Sequence, residues 1–129
     1  MPKPPLDLAL YHRALTHGST GQADYQRLEF LGDRILGLVI ADMLYHRYAE
    51  EAEGRLSHRL NALVSGLTCA DIARQHGVPD HLRLGKQARD DGAQQSDNVL
   101  GDVMEALLGA GFLTQGFPAM RARACASAA

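Results

Sequence analysis

The sequence predicts an all-α fold built as one domain over residues 1–129. Three observations carry this. Val and Ile are sparse and the alternation typical of strands is absent. Leu28, Leu31, Ile35, Leu38 and Val39 recur at three- and four-residue steps, which is one stripe on a helix. A second run of that kind, Val99, Val103, Ala106, Leu107, Ala110 and Leu113, lies near the end of the chain. A length of 129 residues fits one domain at the usual ~100–200 residues.

Taken in order, Pro2, Pro4 and Pro5 make a stiff lead-in that resists helix. A first short helix is expected over Leu6 to Thr16, and a long second one over Asp24 to Tyr48. A third, Gly54 to Ser65, carries Leu56, Leu60, Leu63 and Val64. A fourth starts at Thr68 as N-cap, with Asp71 three residues on, and stops at Gly77, a residue suited to the left-handed turn after a helix. Val78 to Gln95, with Pro79, Gly85 and Gly92, reads mostly as loop. The last strong helix opens near Asp97 or Asn98. The Ala-rich tail after Phe117 has few large apolar residues and reads as a fraying helix or as a cut end.

Composition excludes several classes. With 46% apolar and 22% charged residues the chain is an ordinary globular one, not a disordered one. Its 13 basic and 15 acidic residues give a net charge of −2, which excludes a generally basic nucleic-acid coat but not a local basic patch. No apolar run approaches the ~18–20 residues of a membrane span, and the N-terminus lacks a signal-peptide core. Cys69 and Cys125 make no disulfide framework. A cytoplasmic protein without membrane contact is the default expectation. The six histidines show no His-x-x-x-His zinc spacing and read as surface or capping residues, and Cys69 reads as a small buried residue. Neither a Gly-rich phosphate loop nor a Ser/His/Asp pattern is present.

The chemistry concentrates in two acidic pairs. Glu29 and Asp33 lie four apart on the second helix, and Asp102 and Glu105 three apart on the last one, so each pair shares a face. Both helices are otherwise apolar, and carboxylates are seldom buried unless paired or metal-bound. A hard divalent cation such as Mg²⁺ takes oxygen donors of this kind. Spacing alone leaves that reading level with a plainer one, in which the four acids are solvated or paired with Arg27, Arg34 or Lys86. Phe30 is a second oddity. At ~100° per residue it sits about 140–160° from the mean direction of the Leu28/Leu31/Ile35 stripe, beside Gly37. It marks either a protein interface or a helix buried on both sides.

The segment Arg27-Leu28-Glu29-Phe30-Leu31-Gly32-Asp33 closely resembles the signature helix of the ribonuclease III family. Asp102-Val103-Met104-Glu105-Ala106-Leu107-Leu108-Gly109-Ala110 resembles its second acidic motif. Ala14-Leu15-Thr16-His17, Glu53-Gly54, Leu56-Ser57 and Leu82-Arg83-Leu84-Gly85-Lys86 match further family segments in the right order. The resemblance covers Leu8 to Phe117. It implies the helical endonuclease domain of that family, a Mg²⁺-dependent hydrolase (Mn²⁺ substituting) that cuts double-stranded RNA in rRNA and mRNA processing. The ends it implies are 5′-phosphates and 3′-hydroxyls with short 3′ overhangs. Glu29, Asp33, Asp102 and Glu105 become metal ligands, with Asp33 and Glu105 catalytic and Glu105 the most critical. Glu53 becomes an auxiliary acid. The resemblance also implies a two-fold homodimer through the signature helices, with Phe30 inserted into the partner and two active sites in one valley.

The departures matter too. Gln26 stands where the family usually has Glu, which removes an auxiliary acid but no metal ligand. Arg34 replaces the commoner small residue after the Asp, where it is placed to pair with a neighbouring acid. No separate double-stranded-RNA-binding domain follows in these residues, and a cut from a longer protein is favoured over a stand-alone domain of the Mini-III kind. Arg55, Arg59, Arg83, Lys86 and Arg89 are candidates for phosphate contact, each set against ordinary surface solvation. At net −2, RNA binding is expected to be weak and steeply salt-dependent. Two rivals remain. One is a non-catalytic RNA-binding or scaffold relative, disfavoured because all four acids are kept. The other is an all-α Mg²⁺-dependent nucleotide pyrophosphohydrolase, which needs no duplex.

Overall fold

The computed structural model describes the backbone of residues 8–128 and the side chains of residues 8–122. The proline lead-in and Cys125 lie outside them. Seven α-helices are present among the described residues: α1 (Leu8–Ala14), α2 (Gln26–Arg47), α3 (Glu53–Leu63), α4 (Gly66–Gln75), α5 (Lys86–Asp90), α6 (Asp97–Gln115) and α7 (Phe117–Ala128). The described residues contain no strand, only one parallel bridge between Thr16 and Arg83. The all-α expectation therefore holds. No helix among these residues is long and apolar enough to cross a membrane.

The core has two lobes, joined by α6. One gathers Ala14, Leu28, Ala70, Ala73, Leu82, Leu100, Val103 and Ala106 from α1, α2, α4, α6 and the segment before α5. The other gathers Ile35, Val39, Ile40, Leu44, Cys69, Leu108 and Met120, so α7 closes it. Cys69 is buried there, as expected. Met120 is fully buried and Phe117 packs against the same lobe, which anchors α7.

The axis of the fold is the α2–α6 crossing. A Cβ on Gly32 would lie 1.7 Å from the Glu105 carbonyl oxygen, and one on Gly109 would lie 2.4 Å from that of Leu28. Only glycine permits this approach, at roughly 0.5–1 kcal/mol per helical position relative to alanine. The two helices touch backbone to backbone, and the residues flanking each glycine face one another.

Several boundaries differ from the sequence expectation, for local reasons. Helix α4 is capped not by Thr68 but by Ser65, which has extended backbone and whose Oγ accepts from Thr68 N at 3.2 Å. Likewise α6 is capped by Ser96, whose Oγ accepts from Val99 N at 3.3 Å, rather than by Asp97 or Asn98. In each case a serine just upstream reaches the third amide first. Gly77 does adopt the left-handed conformation after α4, with φ 72°. The stretch expected to be mostly loop contains α5 and two 3-10 turns, Val78–His81 and Ala93–Gln95. The Ala-rich tail is helical as α7. His17 caps a 3-10 turn, its Nδ1 accepting from Ser19 N at 3.1 Å.

The predicted stripe of α2 also shifts. Leu28, Ile35 and Val39 are buried, but Leu38 is 59% exposed. The buried arc includes Gly32, Leu36 and Ile40, so its centre lies further round the helix than the five-residue stripe implies. Leu38 falls on its rim. Leu113 of α6 is also exposed.

Candidate metal centre

The α2–α6 crossing explains why four carboxylates meet. Glu29 and Asp33 flank Gly32 on α2, and Asp102 and Glu105 lie on the facing stretch of α6. Glu29 shares a hydrogen bond with Asp102 and feels the charge of Asp33. Glu105 feels Asp33, Glu29 and Asp102. All four thus act on one another, though they come from segments some seventy residues apart in sequence.

The electrostatics of the cluster follow from burial and like charge. Burial first, then the Asp102 charge, push the Glu29 carboxyl up to about 7. Burial first, then Asp33 and the other two acids, push Glu105 up to about 7, against a lowering pull from Arg34. Burial also raises Asp102, while hydrogen bonds from Glu29 and Tyr25 pull it back. Clustered carboxyls of this kind cannot all ionise cheaply. Arg34 Nη1 lies 2.6 Å from Asp33 Oδ2, the pairing expected for that arginine. Glu29, Asp102 and Glu105 form no salt bridge among the described residues, and each is partly buried.

A hard, oxygen-only donor set under mutual repulsion suits a hard divalent cation. The side chains adjoin one another without closing round a point. Among the described residues, no three His, Cys, Asp or Glu side chains stand in ligand geometry. Proximity is the property fixed by the backbone crossing.

Two residues of the site had not been singled out from the sequence. Tyr25, buried one turn before Glu29, hydrogen-bonds Asp102, and burial together with the three nearby acids pushes its phenol up to about 12. It is therefore a neutral donor held against the cluster. Its spacing of four from Glu29 was the available signal. Cys69 lies beneath, and burial, then Glu105 and Asp33, push its thiol up to about 11. Its closeness to the acids has no local sequence signal.

The other candidates are more scattered. Glu53 opens α3, exposed, and is not among the groups that shift Glu29, Asp102 or Glu105. Gln26 is exposed at the start of α2. Phe30 points away from the core, 66% exposed, with the Arg34 guanidinium 4.5 Å above its ring. The helix is not buried on both sides within the chain. Among the basic residues, Arg59 is bidentate to Glu51 at 2.7 Å on each arm and lies 3.8 Å over the Tyr48 ring. Arg55 reaches the same carboxylate at 3.8 Å. Arg89 donates to Gln94 and to the Leu82 carbonyl. Lys86 is exposed at the start of α5, with no ion pair among the described residues. Arg83 lies against His12.

The fold and sequence can now be set against known proteins. The family model described as Ribonuclease-III-like matches residues 6–126. Ribonuclease 3 of Zymomonas mobilis is 67% identical over 115 residues, which is 89% of this chain and 47% of that protein. Ribonuclease 3 of Dinoroseobacter shibae is 49% identical over 113 residues, 85% of this chain and 49% of that protein. The chain spans about half the length of the curated relatives it matches. The nuclease domain of ribonuclease III from Campylobacter jejuni, described as flexible in a region involved in dimer formation, superposes with a TM-score of 0.91 at 35% identity. That match covers 94% of this chain and 85% of the other. Dicer from Pichia stipitis gives a TM-score of 0.66 at 26% identity, over 87% of this chain and 49% of that one. With the acidic crossing and these matches together, the chain belongs to the ribonuclease-III-like family.

Proposed function

We propose that the chain is a metal-dependent endoribonuclease domain that hydrolyses double-stranded RNA in the cytoplasm, as an RNA-processing enzyme. The observation that carries this is the backbone contact at Gly32 and Gly109, which holds four carboxylates of a nuclease family on one site. Family membership supports the reaction class, and the fused acidic cluster supports a cation in it. Glu29, Asp33, Asp102 and Glu105 would hold that cation, Mg²⁺ by preference of the oxygen donors and Mn²⁺ in its place. When bound it would supply an activated water and offset negative charge at phosphorus.

The chain's own residues do the rest. Tyr25 holds Asp102 by a hydrogen bond and stays protonated throughout the working pH range. Glu29 and Glu105, both pushed up to about 7 by burial and by the neighbouring acids, are the acids whose charge state responds near neutrality. Asp33 and Glu105 are the two residues assigned to catalysis. The expected products carry 5′-phosphate and 3′-hydroxyl ends.

The functional unit is a homodimer. Phe30, Leu38 and Tyr45 are all exposed on the outer side of α2, an apolar band of the kind that marks an interface. The Campylobacter relative, described with a region involved in dimer formation, supports this. A two-fold axis through this band would set one acidic site toward each strand. Glu53, apart from the cluster within one chain, remains an auxiliary acid only in such a dimer valley.

The deciding experiment is cleavage of a long RNA duplex at low salt, with Mg²⁺, with EDTA, and with Mg²⁺ and Glu105→Ala. Staggered cutting in the first condition alone supports the reading. No cutting by a folded dimer at high enzyme concentration favours a non-catalytic RNA-binding relative. Hydrolysis of free nucleoside triphosphates instead favours a pyrophosphohydrolase.

A further inference from the structure

An open cavity of about 490 Å³ lies where α1, the turn before α2 and the segment before α5 meet. Its polar lining is His12, Arg13, Thr16, Gln22 and Arg83, and none of these belongs to the carboxylate cluster. The frame is firm. His17 N donates to Arg83 O at 2.9 Å, and Arg83 N donates to Leu15 O at 2.9 Å, forming the parallel bridge between Thr16 and Arg83. Thr16 is buried, and its hydroxyl donates to His12 O at 2.7 Å. Arg13 Nε donates to Asp24 O at 2.9 Å.

Two guanidiniums in one cavity are what mark it. Arg34, Arg55, Arg59, Arg74 and Arg121 all pair with carboxylates. Arg13 and Arg83, like Arg27, Arg47 and Arg89, pair with none among the described residues, and of these only Arg13 and Arg83 line the cavity. The Asp24 carboxylate is turned to Gln26 N, which donates to it at 2.9 Å. Arg83 Nη1 sits 2.9 Å from His12 Nδ1. A guanidinium is donor only, so His12 Nδ1 accepts and its proton resides on Nε2. Two uncompensated guanidiniums and an imidazole N–H line one cavity in a chain of net charge −2. Guanidinium forks are shaped for oxyanions, phosphate above all.

Position gives the ligand its source. Arg13 is fixed to the Asp24 carbonyl, Tyr25 follows directly, and Tyr25 touches Asp102. The cavity thus adjoins the acidic site at the N-terminal end of α2. We infer that the cavity defined by His12, Arg13 and Arg83 binds a phosphate group of the RNA strand, next to the phosphate presented to the carboxylates. This rests on the ribonuclease reading above and adds substrate-positioning residues to it. A strand anchored there is set lengthwise along the α1–α2 junction, with one phosphate held by cations and its neighbour by the acidic site.

The test uses the full chain with Arg83→Gln, Arg83→Lys and Arg13→Gln, each checked for an unchanged melting curve. Kinetics on duplex RNA with Mg²⁺ are measured across a salt series, and inorganic phosphate is titrated against ¹⁵N-labelled protein by NMR. Expected is a several-fold rise in KM for Arg83→Gln with kcat retained, and partial recovery in Arg83→Lys. The slope of log kcat/KM against log salt should flatten by about one, as for one lost phosphate contact. Inorganic phosphate should shift the His12 ring and Arg83 Nε resonances in the unaltered chain and leave His12 unmoved in Arg83→Gln. Should Arg83→Gln fail to fold, Arg13→Gln and Arg83→Lys carry the same kinetic comparison. If the unaltered chain cuts duplex RNA while these variants keep its KM and salt slope, the cavity is not a strand site, and the ribonuclease reading stands. A phosphate shift in a chain that neither cuts nor binds duplex RNA overturns the strand assignment along with that reading, leaving a site for free phosphate. Absence of any shift at His12 or Arg83 overturns the oxyanion site itself.

Discussion

Replacing Glu105 by Gln should abolish hydrolysis and yet stabilise the metal-free protein. The carboxyl rises from an ordinary 4.5 to about 7 on folding, through burial first and then Asp33, Glu29 and Asp102. A difference of that size corresponds to about 3 kcal/mol of penalty for the ionised form, at 1.36 kcal/mol per unit. Water entering the half-open site screens it, leaving ~1–2 kcal/mol. A raised carboxylate binds more protons folded than unfolded between 4.5 and 7, so stability falls as pH rises through that window. The penalty is full above about 7 and is relieved as pH drops toward 4.5. Gln carries no such penalty. In EDTA at pH 8 the variant should therefore melt about 4–8 °C higher than the unaltered chain, and the gap should shrink by pH 5. Mg²⁺ should narrow it again by stabilising only the unaltered chain. Calorimetry at the two pH values, with and without Mg²⁺, checks this. Equal melting at pH 8, or a gap that widens toward pH 5, would refute the account of a repulsive, cation-seeking cluster.

Four further outcomes are expected. Gly32→Ala forces a Cβ into the Glu105 carbonyl and should destabilise by at least the 1–3 kcal/mol typical of overpacking, read by urea unfolding. Phe30→Ala removes an exposed ring, so the monomer's stability should change by no more than about 0.5 kcal/mol while sedimentation shows a weakened dimer. Tyr25→Phe deletes the donor to Asp102. A hydrogen bond to a charged group is worth about 1.5–3 kcal/mol, so Mg²⁺ affinity should drop about tenfold or more, measured by calorimetric titration. Arg59→Ala breaks the bidentate pair with Glu51 and should leave the salt slope of RNA binding unchanged, because that guanidinium is already committed.

The helical fold and the acidic site were legible because both depend on local spacing. Three- and four-residue steps mark a helix whatever surrounds it, and Glu29/Asp33 and Asp102/Glu105 share faces by the same arithmetic. Phe30 was legible as pointing off the core, since its direction needs only ~100° per residue. What stayed hidden depends on partners distant in the chain. That the two acidic faces meet is set by Gly32 and Gly109 at a backbone crossing, and a glycine in a helix looks the same in sequence whether or not a neighbour presses on it. Leu38 was misplaced because the buried arc is centred by α6 packing, not by the apolar residues of α2 alone. The caps at Ser65 and Ser96 were hidden behind equally good residues a few positions on. Arg59 looked like a phosphate contact because nothing local reveals that Glu51, eight residues earlier, folds back onto it.

The arrangement around α2 links the site to the interface. Taking Leu28 as reference, ~100° per residue puts Glu29 and Asp33 at about 100–140°, and Phe30 and Gly37 at about 180–200°. The buried arc, from Ile35 through Leu28, Val39, Gly32, Leu36 and Ile40 to Leu44, lies between about −20° and 160°. The two acids therefore lie within the angular range of the core face, at the end of α2 where α6 crosses at Gly32, and next to the outer apolar band. Burial and the facing Asp102 push Glu29 up to about 7, while Asp33 stays exposed and reaches Arg34. A second copy seated on the Phe30 band would lie beside the same acids, Asp33 being about 40–60° from Phe30 and Gly37 around the helix. Dimerisation should then raise the repulsion among the carboxyls and increase their demand for a cation. If so, Mg²⁺ should tighten the dimer, and by reciprocity the dimer should bind Mg²⁺ more tightly than Phe30→Ala does. Sedimentation with and without Mg²⁺ reads this directly. A dimer constant indifferent to Mg²⁺ would mean that site and interface share a helix without sharing energy.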